Sequence, residues 1–231
     1  MVRQTIDPPS VAREPRQSMT YEEYLAWAGE DLWSEWVDGK VIVFMSPLIG
    51  HQDVVQFLNL LVGLYVNLFR LGRVFPLQTE LLILDGRVSR EPDLIFVSTA
   101  NLRRVTDRRV EGAADLVIEV VSDDSVTRDR RDKFREYAEA RIAEYWLVDW
   151  RPGRQRADFF QLGADGVYER QDPVAQGRYH SSVLPGLWLD PTWLWQNPLP
   201  NPLALLESIA PHAIRITRPE SAPDEGAARA K

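Results

Sequence analysis

Two carboxylates stand where carboxylates are costly. Glu91-Pro92-Asp93-Leu94-Ile95-Phe96-Val97 and, later, Leu116-Val117-Ile118-Glu119-Val120-Val121 are apolar, β-branched runs, and each carries an acidic side chain, Asp93 in the first and Glu119 in the second. A charge in such a strand forfeits much of its solvation unless it is paired or holds a cation. Pro92 removes a backbone donor and suits the opening of a strand rather than its middle. Carboxylates converging from adjoining strands would hold a hard, oxygen-seeking cation such as Mg²⁺, which keeps several waters for substrate. Such a cation can polarise a phosphodiester and acidify a water. The competing reading is structural: Asp93 and Glu119 each pair with an arginine, for which Arg90, Arg128 and Arg130 are available, or cap a neighbouring backbone. Either residue alone favours that reading. The two together, with Lys133 nearby in sequence, move the chemical one ahead.

Other residues could join them. Glu35 can reach the site from an early strand, to bind a second cation or a water, or it can face solvent on a hairpin. Glu80 shares a strand face with Gln78 and Leu82 and is a possible added metal ligand. His51 opens a long helix, where it touches substrate or makes a local hydrogen bond. His180 and His212 lie far from it in sequence, so there is no histidine metal motif. Arg103, Arg104, Arg108 and Arg109 form one basic cluster, and Arg128, Arg130, Arg131, Lys133 and Arg135 another. These can hold phosphates locally, or, for the second, form a salt-bridged helix surface.

The elements that must position these groups follow from pattern. Thr20 with Glu23 is a capping box before Tyr24, Leu25, Trp27 and Ala28 at helical spacing. Asp38-Gly39 between apolar runs predicts a type I′ hairpin. Val54, Phe57, Leu58, Leu61, Leu64, Tyr65 and Leu68 keep the i, i+3, i+4 rule over 50–71, with Gly72 as the stop. Val74–Leu84, Asp93–Val97 and Leu116–Val121 read as sheet strands. A second amphipathic helix follows Thr127, with Phe134, Tyr137, Ala138 and Arg141 on one face, and Tyr145–Val148 is a buried strand. Short strands at 158–162 and 166–170 make a meander, then 184–189 and a Trp-rich short helix close the domain. Trp188, Trp193 and Trp195 are expected to pack core or a homodimer contact rather than stack on bases.

The chain of 231 residues can bury one well-formed core. The reading is one domain over 19–197, a disordered tail over 1–18 and an extension over 198–231 that is largely disordered at its end. With no cysteine, disulfides, thiolate metal sites and thiol nucleophiles are excluded, and a cytoplasmic protein is expected. The most apolar stretch, 57–69, reads as too short to cross a bilayer, so no membrane partner is expected. The net charge of −7 offers no long-range attraction to nucleic acid. Any such contact must come from a local basic patch.

A Pro-Asp strand, a later apolar-Glu strand and a basic helix resemble the frame of the PD-(D/E)XK nuclease superfamily. More narrowly, the chain resembles the Uma-two family of endonucleases. The matching residues are Glu35–Gly39, Ser46-Pro47, His51-Gln52, Pro92-Asp93-Leu94, Ile118-Glu119-Val120, Arg128–Tyr137, Glu144–Asp149 and Leu184–Leu187, covering about 20–195. The resemblance implies a mixed α/β, restriction-endonuclease-like fold, with a central mixed sheet flanked by helices and an added antiparallel meander. It implies an endonuclease hydrolysing phosphodiester bonds of DNA, with Asp93 and Glu119 around Mg²⁺ or Mn²⁺, and a homodimer is expected. The chain departs from the motif, because Val121 stands where the lysine of the superfamily's name belongs. Lys133, on the helix after the Glu119 strand, is the replacement that the resemblance implies, to orient or deprotonate the attacking water and stabilise phosphate charge. Its bland alternative is a solvated lysine paired with Asp129 or Tyr137. If Lys133 lies beyond reach of the carboxylates, the chain is instead a degenerate nuclease fold acting as a binding module.

Overall fold

The computed structural model describes residues 18–28, 33–43, 48–122 and 125–214. The tail expected over 1–18, save Ser18 itself, the end of the extension over 218–231 and the Ser46-Pro47 piece lie outside the described residues.

The capping box forms as its residue types require. The Thr20 N–H donates to Glu23 (2.8 Å) and the Glu23 N–H to the Thr20 hydroxyl (3.2 Å), opening α1 (Tyr21–Ala28). Asp38 and Gly39 both take positive φ, 44° and 87°, which matches the twist of the hairpin joining β1 (Ser34–Val37) to β2 (Lys40–Val43).

Helix α2 (Ile49–Phe69) buries Val54, Val55, Phe57, Leu58, Leu61, Val62, Tyr65 and Val66 along one stripe. It is longer than the apolar stretch of the sequence reading, and by length and composition it could cross a membrane. Here its stripe packs on the central sheet. Its stop also differs from expectation. Arg70, at φ 54°, closes the helix by donating its N–H to the Val66 and Asn67 carbonyls. Gly72 serves another need: a Cβ there would lie 2.1 Å from the Val97 carbonyl oxygen, where two strands meet.

Val74–Leu84 is two strands rather than one. β3 (Gly72–Pro76) ends at Pro76, and β4 (Glu80–Ile83) starts after Gln78 adopts φ 65° and joins a different sheet. After β5 (Val88–Arg90) come β6 (Leu94–Ser98), β7 (Arg109–Glu111) and β8 (Leu116–Val120). The helix after Thr127 is wound as a π-helix over Arg128–Lys133 and becomes α3 over Phe134–Glu139. β9 (Glu144–Asp149), β10 (Arg156–Leu162) and β11 (Tyr168–Gln171) follow, so the expected meander continues the central sheet. Of 184–189 only Trp188–Leu189 is a strand (β13), paired with β12 (Tyr179–His180). Trp193 and Trp195 lie in a short 3₁₀ helix and pack against the core, and α4 (Pro202–Ile209) buries Leu206 there.

The central six-stranded sheet runs β11-β10-β9-β8-β6-β3, antiparallel except for the parallel β8–β9 pair. One face carries Leu94, Phe96, Leu116, Ile118, Val120 and Trp146 into the core with α2. The other carries Ile95, Val97, Val117, Tyr145 and Leu147 against Tyr137 and the second sheet, β2-β1-β5-β4-β7. This is a mixed α/β fold with mixed sheets and flanking helices.

Candidate active site

Strands β6 and β8 are antiparallel neighbours with Leu94 across from Ile118, so continuing the register by one step sets Asp93 across from Glu119. Directly opposed residues share a sheet face. Both are buried, at 6% and 4% exposure, where a lone charge could not stay.

Asp93 accepts the Val120 N–H at 2.7 Å. His51, from the first turn of α2, reaches over the strand end: its Nε2 lies 2.8 Å from the Val120 carbonyl and 3.5 Å from Asp93. Burial works against a charged imidazole, but the Asp93 hydrogen bond and charge prevail and raise the His51 pKa. Its Nδ1 is buried without a hydrogen-bond partner among the described residues. The histidine is therefore a member of the cluster rather than a local helix-start residue. Sequence offered one signal for this, a histidine on the stripe of a core helix.

Lys133 inserts between three carboxylates. Its ammonium donates to Glu119 at 2.7 Å and lies 3.2 Å from Glu35 and 3.6 Å from Asp129. Burial opposes its charge, yet Glu119, Glu35 and Asp129 outweigh that and hold its pKa above the ordinary lysine value. The π-wound segment that carries it also buries Asp129, and single-turn widenings of this kind recur at functional sites.

Glu119 accepts from Lys133 and from the Tyr137 hydroxyl (2.7 Å) on the same oxygen, leaving Oε2 without a hydrogen bond among the described residues. Burial raises its pKa. Asp129, Asp93 and Glu35 add to this and Lys133 opposes it. Burial likewise raises the Asp129 pKa, and its Oδ1 lacks a hydrogen-bond partner among the described residues. Spacing sets Tyr137 on an apolar helix face, and only the fold shows its hydroxyl on Glu119.

Glu35 is fully buried, but both its oxygens are engaged: one accepts Arg90 (2.7 Å), the other the Glu91 N–H (3.1 Å) and lies beside Lys133. Burial resists ionisation, while Lys133 and Arg90 hold the Glu35 pKa low. It therefore steadies Lys133 instead of facing solvent or offering a free oxygen to a second cation. Arg90 spends its remaining donors on Glu136, at 2.8 Å each, and Arg130 goes to Asp149 and Asp158. Among the described residues neither is bonded to Asp93 or Glu119, whereas the backbone part of the structural alternative does hold for Asp93, which accepts the Val120 N–H. Burial, with Glu35 and Glu80 nearby, pushes Glu91 up to about 8.

Glu80 is not drawn into this group. It opens β4 and accepts from Ser89 (2.8 Å) and from Tyr21, with Arg109 at 3.9 Å, so it ties α1 to the second sheet. Among the described residues no hydrogen bond or ion pair joins it to Asp93 or Glu119. The basic clusters are also partly spent internally: Arg104 donates to the Ala113 carbonyl, Arg109 pairs with Glu111, and Arg131 with Asp132.

Among the described residues no three His, Asp or Glu side chains form a ready-made cation cage. The groups at the strand ends are Asp93, Glu119 with its open Oε2, the Val120 carbonyl and one imidazole. That oxygen-rich set suits Mg²⁺ or Mn²⁺ rather than a thiophilic ion.

Comparison with known proteins agrees with this frame. The crystal structure of a putative nuclease belonging to DUF820 from Anabaena variabilis ATCC 29413 is similar with a TM-score of 0.57 and 20% identity. The likeness covers 77% of this chain and 97% of that one and speaks for the fold. A search of curated proteins finds no match. The Uma2 family, described as "Putative restriction endonuclease", matches residues 21–192, most of the chain and all the residues above, and the protein belongs to that family.

Proposed function

We propose that the protein is a divalent-metal-dependent endonuclease that hydrolyses phosphodiester bonds of DNA. The observation that carries this reading is the buried Asp93–Glu119 pair on neighbouring strands, with the Lys133 ammonium bonded to Glu119 although the motif lysine itself is replaced by Val121. Asp93, Glu119 and the Val120 carbonyl would hold Mg²⁺ or Mn²⁺, with His51 beside them. When bound, the ion supplies Lewis acidity toward the phosphate and lowers the pKa of a water.

The chain's own groups do the rest. Lys133, held charged, donates to the attacking water or to a phosphate oxygen as negative charge grows there. Glu35 and Asp129 keep the ammonium at the site, and the Tyr137 hydroxyl fixes the Glu119 rotamer. The Val120 N–H and the His51 ring hold Asp93. A Lys133 beyond a side chain's reach of the carboxylates would have favoured a degenerate nuclease fold acting as a binding module; its 2.7 Å contact with Glu119 supports the enzyme reading instead. A homodimer would put one such site on each DNA strand, and light scattering of the full chain tests it.

The deciding experiment is cleavage of plasmid and oligonucleotide DNA with Mg²⁺ or Mn²⁺, compared with Asp93→Asn and with chelator. Metal-dependent cleavage lost in the variant supports the reading. Cleavage that survives Asp93→Asn, or none by the wild type on any DNA or RNA, overturns it.

A further inference from the structure

A small cavity adjoins the carboxylate cluster through His51, and a larger one of opposite chemistry shares a wall with it. The smaller, about 290 Å³, is lined by His51, Ser122, Arg151 and Arg154. It adjoins the carboxylate cluster, because His51 touches Val120 and Asp93. Arg151 is committed to Asp149 through two bonds, at 2.8 and 2.7 Å, whereas Arg154 is exposed. Among the described residues Arg154 thus gives this recess its cationic character, beside the His51 end of the carboxylate cluster.

The larger cavity, about 580 Å³, runs between the first half of α2 and the segment after the Trp-rich 3₁₀ helix. Among the described residues no arginine, lysine or histidine lines it. Its walls are apolar and aromatic, with Phe57, Leu60, Trp150 and Trp195, and its rim carries amides, Gln56 and Asn197 among them, and the carboxylate of Asp53. An anionic ligand is disfavoured there. A flat, uncharged ring with polar edges suits it, since aromatic faces stack on any base and carboxylate or amide edges meet exocyclic amines.

Trp150 and Pro152 belong to both cavities. The indole lies against Gly50, where a Cβ would come within 2.2 Å of its ring, so only glycine lets it sit on the helix start beside His51. Its Nε1–H is buried and has no acceptor among the described residues. A buried donor without a partner is costly, and this one stands on the wall between the phosphate-type and the base-type recess.

We propose that the larger cavity takes one unpaired nucleobase of the substrate strand, next to the phosphate at the carboxylate site, so that the preferred substrate contains unpaired nucleotides rather than intact duplex. This rests on the nuclease reading for what carries the base. The cationic recess receives the adjacent phosphate and the uncharged one receives the base. An intact duplex cannot supply the base without unpairing it.

The test uses the full chain with Asp93→Asn, in buffer without divalent ions, and fluorescence anisotropy with three labelled probes. These are a short single strand, the blunt duplex of the same sequence, and an abasic strand of equal length and charge. The single strand should bind about tenfold or more tighter than the abasic strand, in line with stacking of a base on aromatic side chains. Leu60→Trp, which fills the cavity from an exposed position, and Trp195→Ala should each remove that preference while leaving the abasic strand within about twofold, given the stacking origin of the effect. Unchanged melting of Leu60→Trp shows that the fold is intact. Equal binding of base-bearing and abasic strands, or a preference that survives both substitutions, overturns the proposal. In that case, duplex cleavage by the wild type would still uphold the nuclease reading. A base preference that depends on Trp195 in a protein that cleaves nothing would support the cavity and refute the nuclease reading alone.

Discussion

Replacing Lys133 by methionine separates what the ammonium does for the fold from what it does for chemistry. On sequence grounds the substitution keeps most of the stem packing, so the fold should survive with little loss of stability. The structure changes that expectation. Lys133 is 3% exposed and its charge serves Glu119, Glu35 and Asp129 within 3.6 Å. Removing one partner of a buried pair costs about 3–5 kcal/mol. Here the loss is smaller, because Glu119 and Asp129, already raised by burial, can each take a proton. We expect about 2–4 kcal/mol at pH 8, which lowers Tm by about 5–15 °C in a domain of this size.

The sign of the pH dependence follows from linkage. A carboxyl whose folded pKa lies above its unfolded value binds more protons when folded, so stability falls as pH rises between the two values. The deficit of Lys133→Met should therefore be smallest near pH 5 and grow toward pH 8. The assay is thermal unfolding in chelator at both pH values, beside cleavage at pH 8, which should drop by about two orders of magnitude or more. A Tm at pH 8 within about 2 °C of wild type, an effect far below one broken buried pair, would refute the account of the network. A deficit that shrinks as pH rises would refute the assigned direction.

Other expectations follow from the same coordinates. Mn²⁺ should raise the Tm of the wild type by mass action and leave Asp93→Asn nearly unmoved; equal shifts would remove Asp93 from the cation site. Glu144→Gln should cost about 2–4 kcal/mol in denaturant titration. The buried carboxylate accepts from Trp146, Tyr179, Ser181, Ser182 and the Val183 N–H, and an amide turns a donor toward donors. An unchanged midpoint would show that those bonds contribute little. Gly72→Ala should destabilise by about 2 kcal/mol or more, because its Cβ meets backbone that cannot swing away; wild-type stability would mean that β3 and β6 separate freely. Glu80→Gln should leave cleavage within about twofold of wild type, since its bonding partners are Tyr21, Ser89 and Arg109 rather than Asp93, Glu119 or Lys133. A large loss would return it to the site.

Short-range physics was legible in the residues themselves. The Thr20–Glu23 box, the Asp38-Gly39 turn and the apolar stripe of α2 are decided by neighbours within a few positions, and pattern reports those directly. Two acidic residues in apolar strands announced themselves because burial of an unpaired charge is too costly to be accidental. What pattern could not supply is partner choice across the chain. Arg90 could have served Asp93 or Glu119, yet strand β5 aims it at Glu35 and Glu136. Glu80 looks like Glu119 in sequence, an acid in an apolar run, but the turn at Gln78 sends it to the other sheet. His51 and Tyr137 carry ordinary helix spacing, and only the packing of two helices against the strand ends brings an imidazole to Asp93 and a hydroxyl to Glu119. Spacing along a helix or strand is written in consecutive residues, whereas which buried donor meets which buried acceptor is set by register, crossover and packing over separations of tens of residues, and only the tertiary structure resolves that.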